Sequence, residues 1–355
     1  MPDAPDSSRP ALLCLSQSFA PDTTPTAIRA GKLLERLNHR WDVDVLTEAA
    51  GPPVRSGVRV HAVPGRRPRQ LMAALQRARL GKLLELLVWP DDSIFWVLPA
   101  ILAGRRLARQ RPPAAIVVFM MPYSAGLAGL ALSRLTKLPL VLNLDDSPTC
   151  TDMHPRFPTR LHYRLARMLE DIYARRANAI VYVSQTNLEE VRARAPSRAR
   201  ENFHLVRYGG DRPEPPPPAV TGEDFEIAYV GAMSGWWALI GDAQPGGRFR
   251  SIYRAWTDLG RYERVALDER TSSPSIIGRA ILQALSEHPD WSGRVKLAIR
   301  GNPYPPEVVE RALQSAGVQS VVEVTGSLPH AAVAPIMAGA DLLFLTLPAR
   351  PDGSR

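Results

Sequence analysis

The hydrophobic and polar positions of the chain alternate between short apolar runs and longer amphipathic stretches. Apolar runs without strict alternation indicate strands buried on both faces, and parallel strands need crossover helices, which the amphipathic stretches supply. The pattern predicts strands at residues 11–15, 42–47, 58–63, 116–118, 138–144, 180–183, 225–230, 295–299, 321–324 and 342–347. It predicts the clearest helices at residues 26–37, 93–110, 156–176, 273–286, 306–316 and 330–338. This α/β alternation is typical of two Rossmann-like, doubly wound domains.

A proline-rich segment separates the two halves of the chain. Residues 212–218 have the sequence RPEPPPP, in which fixed φ angles and missing N–H groups exclude a helix or a central strand. We therefore predict a disordered leader at residues 1–10, a first domain at 11–211, a linker at 212–222 and a second domain at 223–355. The second domain contains an insertion at about 232–270, rich in Gly and Trp, with no clear strand and some helix around residues 250–259.

Positive charge dominates the composition. The formal net charge is +9, and nearly all of the cations are arginines, whose planar guanidinium binds oxyanions bidentately. A GC-rich coding sequence explains this usage equally well. No nucleic-acid recognition motif is present, so we expect a nucleotide, a lipid phosphate or an anionic membrane surface as the anionic partner, and no nucleic acid. The cluster Arg105, Arg106, Arg109 and Arg111 is either a solvated helix face or a peripheral membrane contact.

The chain has no signal-peptide pattern and only two cysteines, Cys14 and Cys150, which favours the cytoplasm. Residues 114–133 carry no charge, and their length is close to the roughly 20 residues that span a bilayer. Pro122, Ser124 and two glycines interrupt this stretch, however. A strand, a turn and a buried helix therefore explain it better than a transmembrane span.

Two polar loops follow predicted strands of the first half. In doubly wound sheets, ligands bind at the carboxyl ends of the strands, and helix N-termini there attract anions. The loop at residues 16–25 precedes the first helix, where it serves either as a ligand site or as a capped turn. The loop after residue 144 contains Asp145, Asp146, Asp152 and His154. These groups suit acid/base chemistry, binding of substrate hydroxyls, or only a polar surface turn, and their spacing matches no metal-ligand pattern.

Several short motifs together carry a family resemblance. They are Phe19-Ala20-Pro21-Asp22, Pro122-Tyr123-Ser124, Asn143–Pro148, the helix residue Glu170 before Val181–Ser184, Tyr208–Asp211, Tyr229-Val230-Gly231 and Gly326–Leu345. Their order along the chain resembles that of the GT-B glycosyltransferases of family 4. The resemblance covers nearly the whole chain, although each motif alone is weak.

The resemblance implies that a hexosyl group moves from a nucleotide-sugar donor to a glycan, lipid-linked or small-molecule acceptor, with retention of configuration, in glycan assembly. It implies no cofactor and no metal, because the nucleotide sugar is a substrate. Catalytic roles are expected for Asp146 and His154. Donor binding is expected of Gly231, Arg300, Gly301, Gly326, Leu328, His330 and Arg350. Acceptor binding is expected of Asp22, Thr23, Thr24, Asp145 and Ser184.

The chain also departs from the family pattern. Asn143 and Asp145 stand in place of the usual acid and arginine, and Tyr208 replaces an asparagine. The family's basic residue and paired glutamates follow the last strand seen here, so we expect a C-terminally truncated, impaired enzyme whose second domain is incomplete. The alternative is a degenerate, non-catalytic sugar-binding or scaffold protein of the same fold. A GT-B-shaped sugar-nucleotide epimerase is a further alternative because it shares the shape, but the absence of these motifs from epimerases speaks against it.

Overall fold

The computed structural model describes residues 9–22, 24–49, 57–150, 156–209, 224–231, 233, 235–243, 248–302 and 304–350. The chain divides into two compact units. The first contains Met1–Gly209 together with Trp256–Arg264, and the second contains Gly210–Ala255 together with Val265–Arg355. The predicted linker at 212–222 lies outside the described residues, as does most of the predicted leader.

The first unit is built on a parallel sheet. Its strands before residue 209 are β1 (Ala11–Leu15), β2 (Asp42–Thr47), β3 (Arg59–Ala62), β4 (Ala115–Phe119), β5 (Leu140–Leu144), β6 (Arg156–Phe157), β7 (Ala179–Tyr182) and β8 (Phe203–Leu205). Its helices are α1 (Pro25–Leu37), α2 (Arg69–Arg77), α3 (Gly81–Leu87), α4 (Ile94–Gln110), α5 (Ala125–Thr136), α6 (Arg160–Arg176) and α7 (Gln185–Arg194). Every strand but β6 joins a seven-stranded sheet in the order β3-β2-β1-β4-β5-β7-β8.

The strand order reverses at β1, which pairs with β2 on one side and β4 on the other. The loops after β1 and β4 therefore flank the point at which a doubly wound sheet opens a crevice for ligands. The sheet is buried on both faces, because β1 and β2 contain no exposed residue. This burial explains why β1 is a continuous apolar run. In β2 the two buried aspartates, Asp42 and Asp44, form ion pairs with Arg59, and Asp42 also pairs with Arg111.

The uncharged stretch at 114–133 forms β4, a turn and most of α5, as predicted. Gly129 allows α5 to approach the sheet, since a Cβ at this position would lie 2.5 Å from a methyl carbon of Val118. Trp96 of α4 is fully buried beside them and donates its indole N–H to the Val63 carbonyl at 2.8 Å. Within the described part of the chain, no helix combines the length and apolar character that a bilayer crossing requires.

The second unit has its own parallel sheet. The remaining strands of the chain are β9 (Phe225–Val230), β10 (Tyr262–Glu263), β11 (Val295–Asn302), β12 (Val322–Gly326) and β13 (Leu342–Leu343). The remaining helices are α8 (Trp236–Ala243), α9 (Arg248–Asp258), α10 (Pro274–Glu287), α11 (Pro306–Ala316) and α12 (His330–Gly339). Strands β12-β11-β9-β13 form a four-stranded parallel sheet, and β11 supplies its fully buried centre at Leu297 and Ile299. The predicted α/β class with two Rossmann-like sheets is confirmed.

Three local predictions need correction. The predicted helix around residues 250–259 is confirmed as α9, but the insertion is more regular than expected, because it also contains β10 and α8, which is anchored by the fully buried Trp236. The final strand is shorter than predicted, since only Leu342 and Leu343 pair with β9, and Leu345 and Leu347 further along are exposed. The helix predicted from residue 156 begins at Arg160, because residues 156–157 form β6 instead.

The segment Trp256–Arg264, which we call the arm, belongs to the first unit although sequence analysis assigned it to the insertion of the second domain. Lys82 is its main anchor. This lysine is buried, and its ammonium donates to the carbonyl of Trp256 at 2.8 Å and to that of Leu259. Both carbonyls lie at the C-terminal end of α9, where a cation is favoured by the helix dipole. At the other end of the arm, β10 pairs antiparallel with β6.

Candidate active site

The loop that follows β5 contains the most strongly held of the predicted site residues, Asp145. Its carboxylate is buried, forms an ion pair with Arg29 and accepts a hydrogen bond from the Thr26 hydroxyl at 3.3 Å. The Arg29 guanidinium also lies over the Tyr208 ring, 4.9 Å from its centroid. Asp145 is therefore held by the first turns of α1, at the carboxyl end of the sheet where an acceptor is expected.

The loop after β1 forms a compact turn at the start of α1. The Asp22 carboxylate accepts hydrogen bonds from the Thr24 backbone N–H at 3.0 Å and from the Ser18 hydroxyl. Thr24 caps α1 by accepting from the Ala27 N–H at 3.4 Å, and Pro25 occupies the first helical position. Asp22 and Thr24 thus shape this turn, which faces the same edge as Asp145, while Thr23 lies outside the described residues.

A buried carboxylate fixes the loop that contains Asp145 and Asp146. Glu170 of α6 is 2% exposed, and it accepts hydrogen bonds from Ser147 at 2.5 Å, from Thr149, from Tyr182 at 3.3 Å and from Arg194 at 2.5 Å. We call these five residues the Glu170 cluster. Burial, followed by the negative charge of Glu170, raises the pKa of the Tyr182 phenol well above its ordinary value. Tyr182 therefore remains a hydrogen-bond donor throughout the physiological range.

Asp146 follows in the same loop, and its carbonyl oxygen lies 3.5 Å from the Tyr123 hydroxyl. Burial raises the pKa of Tyr123, and the nearby acids Asp146, Glu170 and Asp91 raise it further. Asp91 in turn accepts from the Ser124 hydroxyl at 2.6 Å and from the Ser124 N–H at 3.0 Å, which fixes the turn between β4 and α5.

Two other residues of the first unit were predicted to belong to the site, Ser184 and His154. Ser184 is the N-cap of α7 and accepts from the Asn187 N–H at 3.4 Å. Its hydroxyl oxygen therefore has a structural task at the carboxyl end of β7. His154 lies outside the described residues, so its predicted catalytic role stays a prediction.

In the second unit, two predicted donor-binding glycines contact each other. Gly231 ends β9 with φ +136°, and Gly301 in β11 has φ +100°. A Cβ on Gly301 would lie 3.4 Å from the Gly231 nitrogen, and the Gly231 N–H donates to the Arg300 carbonyl at 2.8 Å. Positive φ angles of this size favour glycine, so the carboxyl ends of β9 and β11 carry no side chain at these two positions.

The other predicted donor residues are spread around this edge. Arg300 donates to Glu226 at 3.1 Å and to Glu323 at 2.8 Å, so its guanidinium is engaged by two carboxylates. Gly326 ends β12 and, with Asn302, lines a cavity of about 490 Å³. Leu328 and Arg350 are half-buried, and His330 begins α12. The structure therefore brings Gly231 and Gly301 together and pairs Arg300 with Glu226 and Glu323, while the donor-binding role of Arg300 stays a prediction.

Sequence analysis missed the partners that hold these residues. Thr26 and Asp145 are 119 positions apart, and no local pattern links them. Arg29, Arg194 and Asp91 were missed for the same reason, because each acts through a tertiary contact. Among the described residues, no group of three or more His, Cys, Asp or Glu side chains is arranged to hold a metal ion.

Two α/β units, each built on its own parallel sheet, are the architecture of the GT-B fold. Residues 26–209 match the family model described as "Glycosyl transferase 4-like domain", and the chain belongs to this family. No curated protein matches the chain significantly in sequence.

Solved structures share the fold at low sequence identity. The structure of Anabaena Alr3699/HepE in complex with UDP and glucose is 15% identical, with a TM-score of 0.53, over 94% of this chain and 73% of that one. Sucrose-phosphate synthase (tll1590) from Thermosynechococcus elongatus is 14% identical, with a TM-score of 0.58, over 94% of this chain and 75% of that one.

Proposed function

We propose that the protein transfers a sugar from a nucleotide-sugar donor to a glycan, lipid-linked or small-molecule acceptor, with retention of configuration. The second unit binds the donor and the first unit binds the acceptor. In this scheme Asp145 and Asp146 bind acceptor hydroxyls, and the turn at Asp22 and Thr24 borders them. Family membership supports the transferase class.

The contact between Gly231 and Gly301 is the observation that carries the donor assignment. Sugar transfer places negative charge on the leaving diphosphate, and preorganised N–H groups stabilise such charge. A strand end without side chains lets a diphosphate approach the backbone closely, whereas an alanine at position 301 would have to adopt the strained φ of +100°. Because the HepE structure is described with UDP and glucose, UDP-glucose is the first donor to test.

The test measures the binding and hydrolysis of UDP-glucose, GDP-mannose and other nucleotide sugars by calorimetry and by release of the nucleoside diphosphate. We expect micromolar to millimolar binding of one of them, weakened at least tenfold in Gly301→Ala. Gly317→Ala is the matched control, since Gly317 also has a positive φ, of 70°, but ends α11 with open space around it. Absence of binding across the panel would refute the proposal.

The second candidate is a non-catalytic sugar-binding or scaffold protein of the same family. It is favoured by the two carboxylates that engage Arg300, because this arginine is a predicted phosphate ligand. Nucleotide-sugar binding without hydrolysis or transfer to any acceptor would support this candidate over the enzyme.

A peripheral membrane contact is a finer part of the proposal. The outer face of α6 carries Leu161, Arg164, Met168, Ile172 and Arg175, spaced three or four positions apart, and all five are exposed. Apolar side chains interleaved with arginines suit the surface of an anionic membrane.

Co-sedimentation with phosphatidylglycerol vesicles tests this contact. Met168→Glu should weaken the binding several-fold, whereas Leu71→Glu, at an equally exposed position of α2, should leave it unchanged. Equal effects of the two variants would contradict the assignment of the contact to α6.

A further inference from the structure

The first unit contains a pocket of about 190 Å³ beside the Asp146 loop, lined by α3, α6 and the segment between α3 and α4. We call it the α6 pocket. Its apolar wall is made of aromatic, proline and aliphatic side chains, namely Val88, Trp89, Pro90, Phe157, Pro158 and Leu169. Tyr123 and Pro148 also line it, and the Tyr123 hydroxyl lies 3.5 Å from the Asp146 carbonyl oxygen. The pocket therefore adjoins the loop to which we assign acceptor binding.

The polar groups in the interior of the α6 pocket are already bonded within the protein. His162 uses one ring nitrogen with the Thr159 hydroxyl at 2.8 Å and the other with the Leu86 carbonyl at 3.2 Å. Tyr173 donates to the Tyr123 carbonyl at 2.9 Å. Glu170 accepts from the four donors of its cluster. A ligand rich in hydroxyls would compete with these bonds, because a buried polar group left without a partner is costly.

The rim of the pocket is neutral, because the arm pairs its charged residues. Arg261 of the arm donates to Glu85 at 3.1 Å, and Arg156 donates to Glu263 of the arm at 3.0 Å. Tyr262 packs on Tyr163 with ring centroids 4.9 Å apart, which holds the arm against α6. These two acids and two bases form two ion pairs, so the rim has no net charge with which to attract an ionic ligand.

We propose that the α6 pocket binds a neutral, apolar group about the size of one six-membered ring, and that this group is the aglycone of the acceptor. An apolar cavity of about 150 Å³ is enough to bind benzene, so the α6 pocket holds one ring or one short branched chain. The aglycone assignment rests on the proposed function. The pocket selects aryl or branched aliphatic groups and discriminates against sugar rings of similar size, which carry too many hydroxyls.

The test observes Trp89 directly. The full chain contains seven tryptophans, so ¹⁵N-indole labelling gives seven possible side-chain signals, and Trp89→Phe identifies that of Trp89. Benzyl alcohol and 3-methylbut-2-en-1-ol are the aryl and branched aliphatic probes, and methyl α-D-glucopyranoside is the hydroxyl-rich probe. We expect both alcohols to shift the Trp89 signal saturably in the millimolar range and the glucoside to leave it unchanged.

Ala166→Phe fills the pocket from α6 and should weaken the binding of both alcohols at least tenfold. The matched control is Ala284→Phe, because Ala284 lies on a helix that lines a separate apolar cavity of about 630 Å³ in the second unit. This control should leave the Trp89 titration unchanged. If Ala166→Phe disturbs the other indole signals, Ala166→Leu replaces it as the smaller filling variant.

Several outcomes would overturn the proposal. They are a shift of Trp89 by the glucoside at the same concentration, equal effects of the two Phe variants, or no saturable shift by either alcohol. A parallel titration with nucleotide sugars separates this result from the proposed function. Saturable alcohol binding without nucleotide binding would support the pocket and refute the transferase proposal, together with the aglycone assignment.

Discussion

Replacing Glu170 by glutamine tests how firmly the Asp145 and Asp146 loop is held. The glutamine keeps the volume of the side chain and one acceptor oxygen. Its NH₂ group, however, must then face two donors of the Glu170 cluster, because the other four members of the cluster all donate to the carboxylate. The substitution therefore creates a buried conflict between donors and removes the charge that Arg194 neutralises.

The size of the effect follows from burial. Removing one member of a buried ion pair costs about 3–5 kcal/mol, and a hydrogen bond to a charged group contributes about 1.5–3 kcal/mol. The Arg194 side chain is 17% exposed, so water solvates its guanidinium in part when the charge of Glu170 is removed. We therefore expect the loop to open more easily by about 2–4 kcal/mol.

Cys150 reports this opening, because its thiol lies in the same loop and is 6% exposed. Burial raises its pKa, with a further contribution from Glu170, so the native thiol reacts slowly. Alkylation by iodoacetamide, followed by peptide mass spectrometry, should be roughly 30- to 700-fold faster at Cys150 in Glu170→Gln, since about 1.4 kcal/mol is tenfold.

Cys14 provides an internal comparison, because it is fully buried in β1 and reports opening of the sheet. Glu189→Gln is the matched control, since the same substitution at this exposed position of α7 should change neither rate. A change at Cys150 of less than threefold, or an equal change in the control, would refute the reasoning.

Three further predictions concern the first unit. Burial raises the pKa of Asp44, but hydrogen bonds from His61 and Arg59 outweigh it, so the net pKa lies below the ordinary value. A folded-state pKa below the unfolded value stabilises the folded protein at pH values above the unfolded pKa of about 3.9, and this stabilisation is lost as pH falls through the folded-state pKa. Asp44→Asn should therefore lower the free energy of unfolding at pH 7 by about 1 kcal/mol and flatten the acid limb in urea titrations; an unchanged acid limb would contradict this. Burial, followed by the charge of Asp44, raises the pKa of Cys14, so we expect native Cys14 to resist alkylation at pH 8 and to react within minutes in urea. Lys82→Met should speed amide hydrogen exchange in the arm at least tenfold and leave β11 unchanged, because only the arm loses its anchor; equal acceleration in both would contradict a local role.

The fold was predictable wherever the burial of a helix or strand is visible in its own local sequence. The local sequence alone indicates burial for the apolar runs of β1 and β5 and for the uncharged stretch that forms β4 and α5. The arm was not predictable, since its two-residue strand β10 pairs with β6 across more than 100 positions. Two residues are too few to show a periodic sequence pattern. The burial of Lys82 is explained only by its hydrogen bonds to the carbonyls of the arm.

The site was predictable in part for the same reason. Gly231 and Gly301 stand directly after or within apolar runs, where a backbone that must approach a neighbour needs glycine. The sequence also draws attention to Asp145 by its position after β5. It does not reveal that Arg29 and Thr26 hold this carboxylate, because that contact depends on how α1 returns to the sheet.

Arg300 shows how a residue type alone misleads about charge. Its guanidinium is only 18% exposed and lies between Glu226 and Glu323, so the three groups together carry one net negative charge. Each pair is partly exposed and stabilises by only about 0–1 kcal/mol, so the pairs themselves are easily broken. A diphosphate approaching this point nevertheless meets the excess carboxylate. The bare backbone at Gly231 and Gly301 has no fixed negative charge, and for that reason we expect the diphosphate to bind there first.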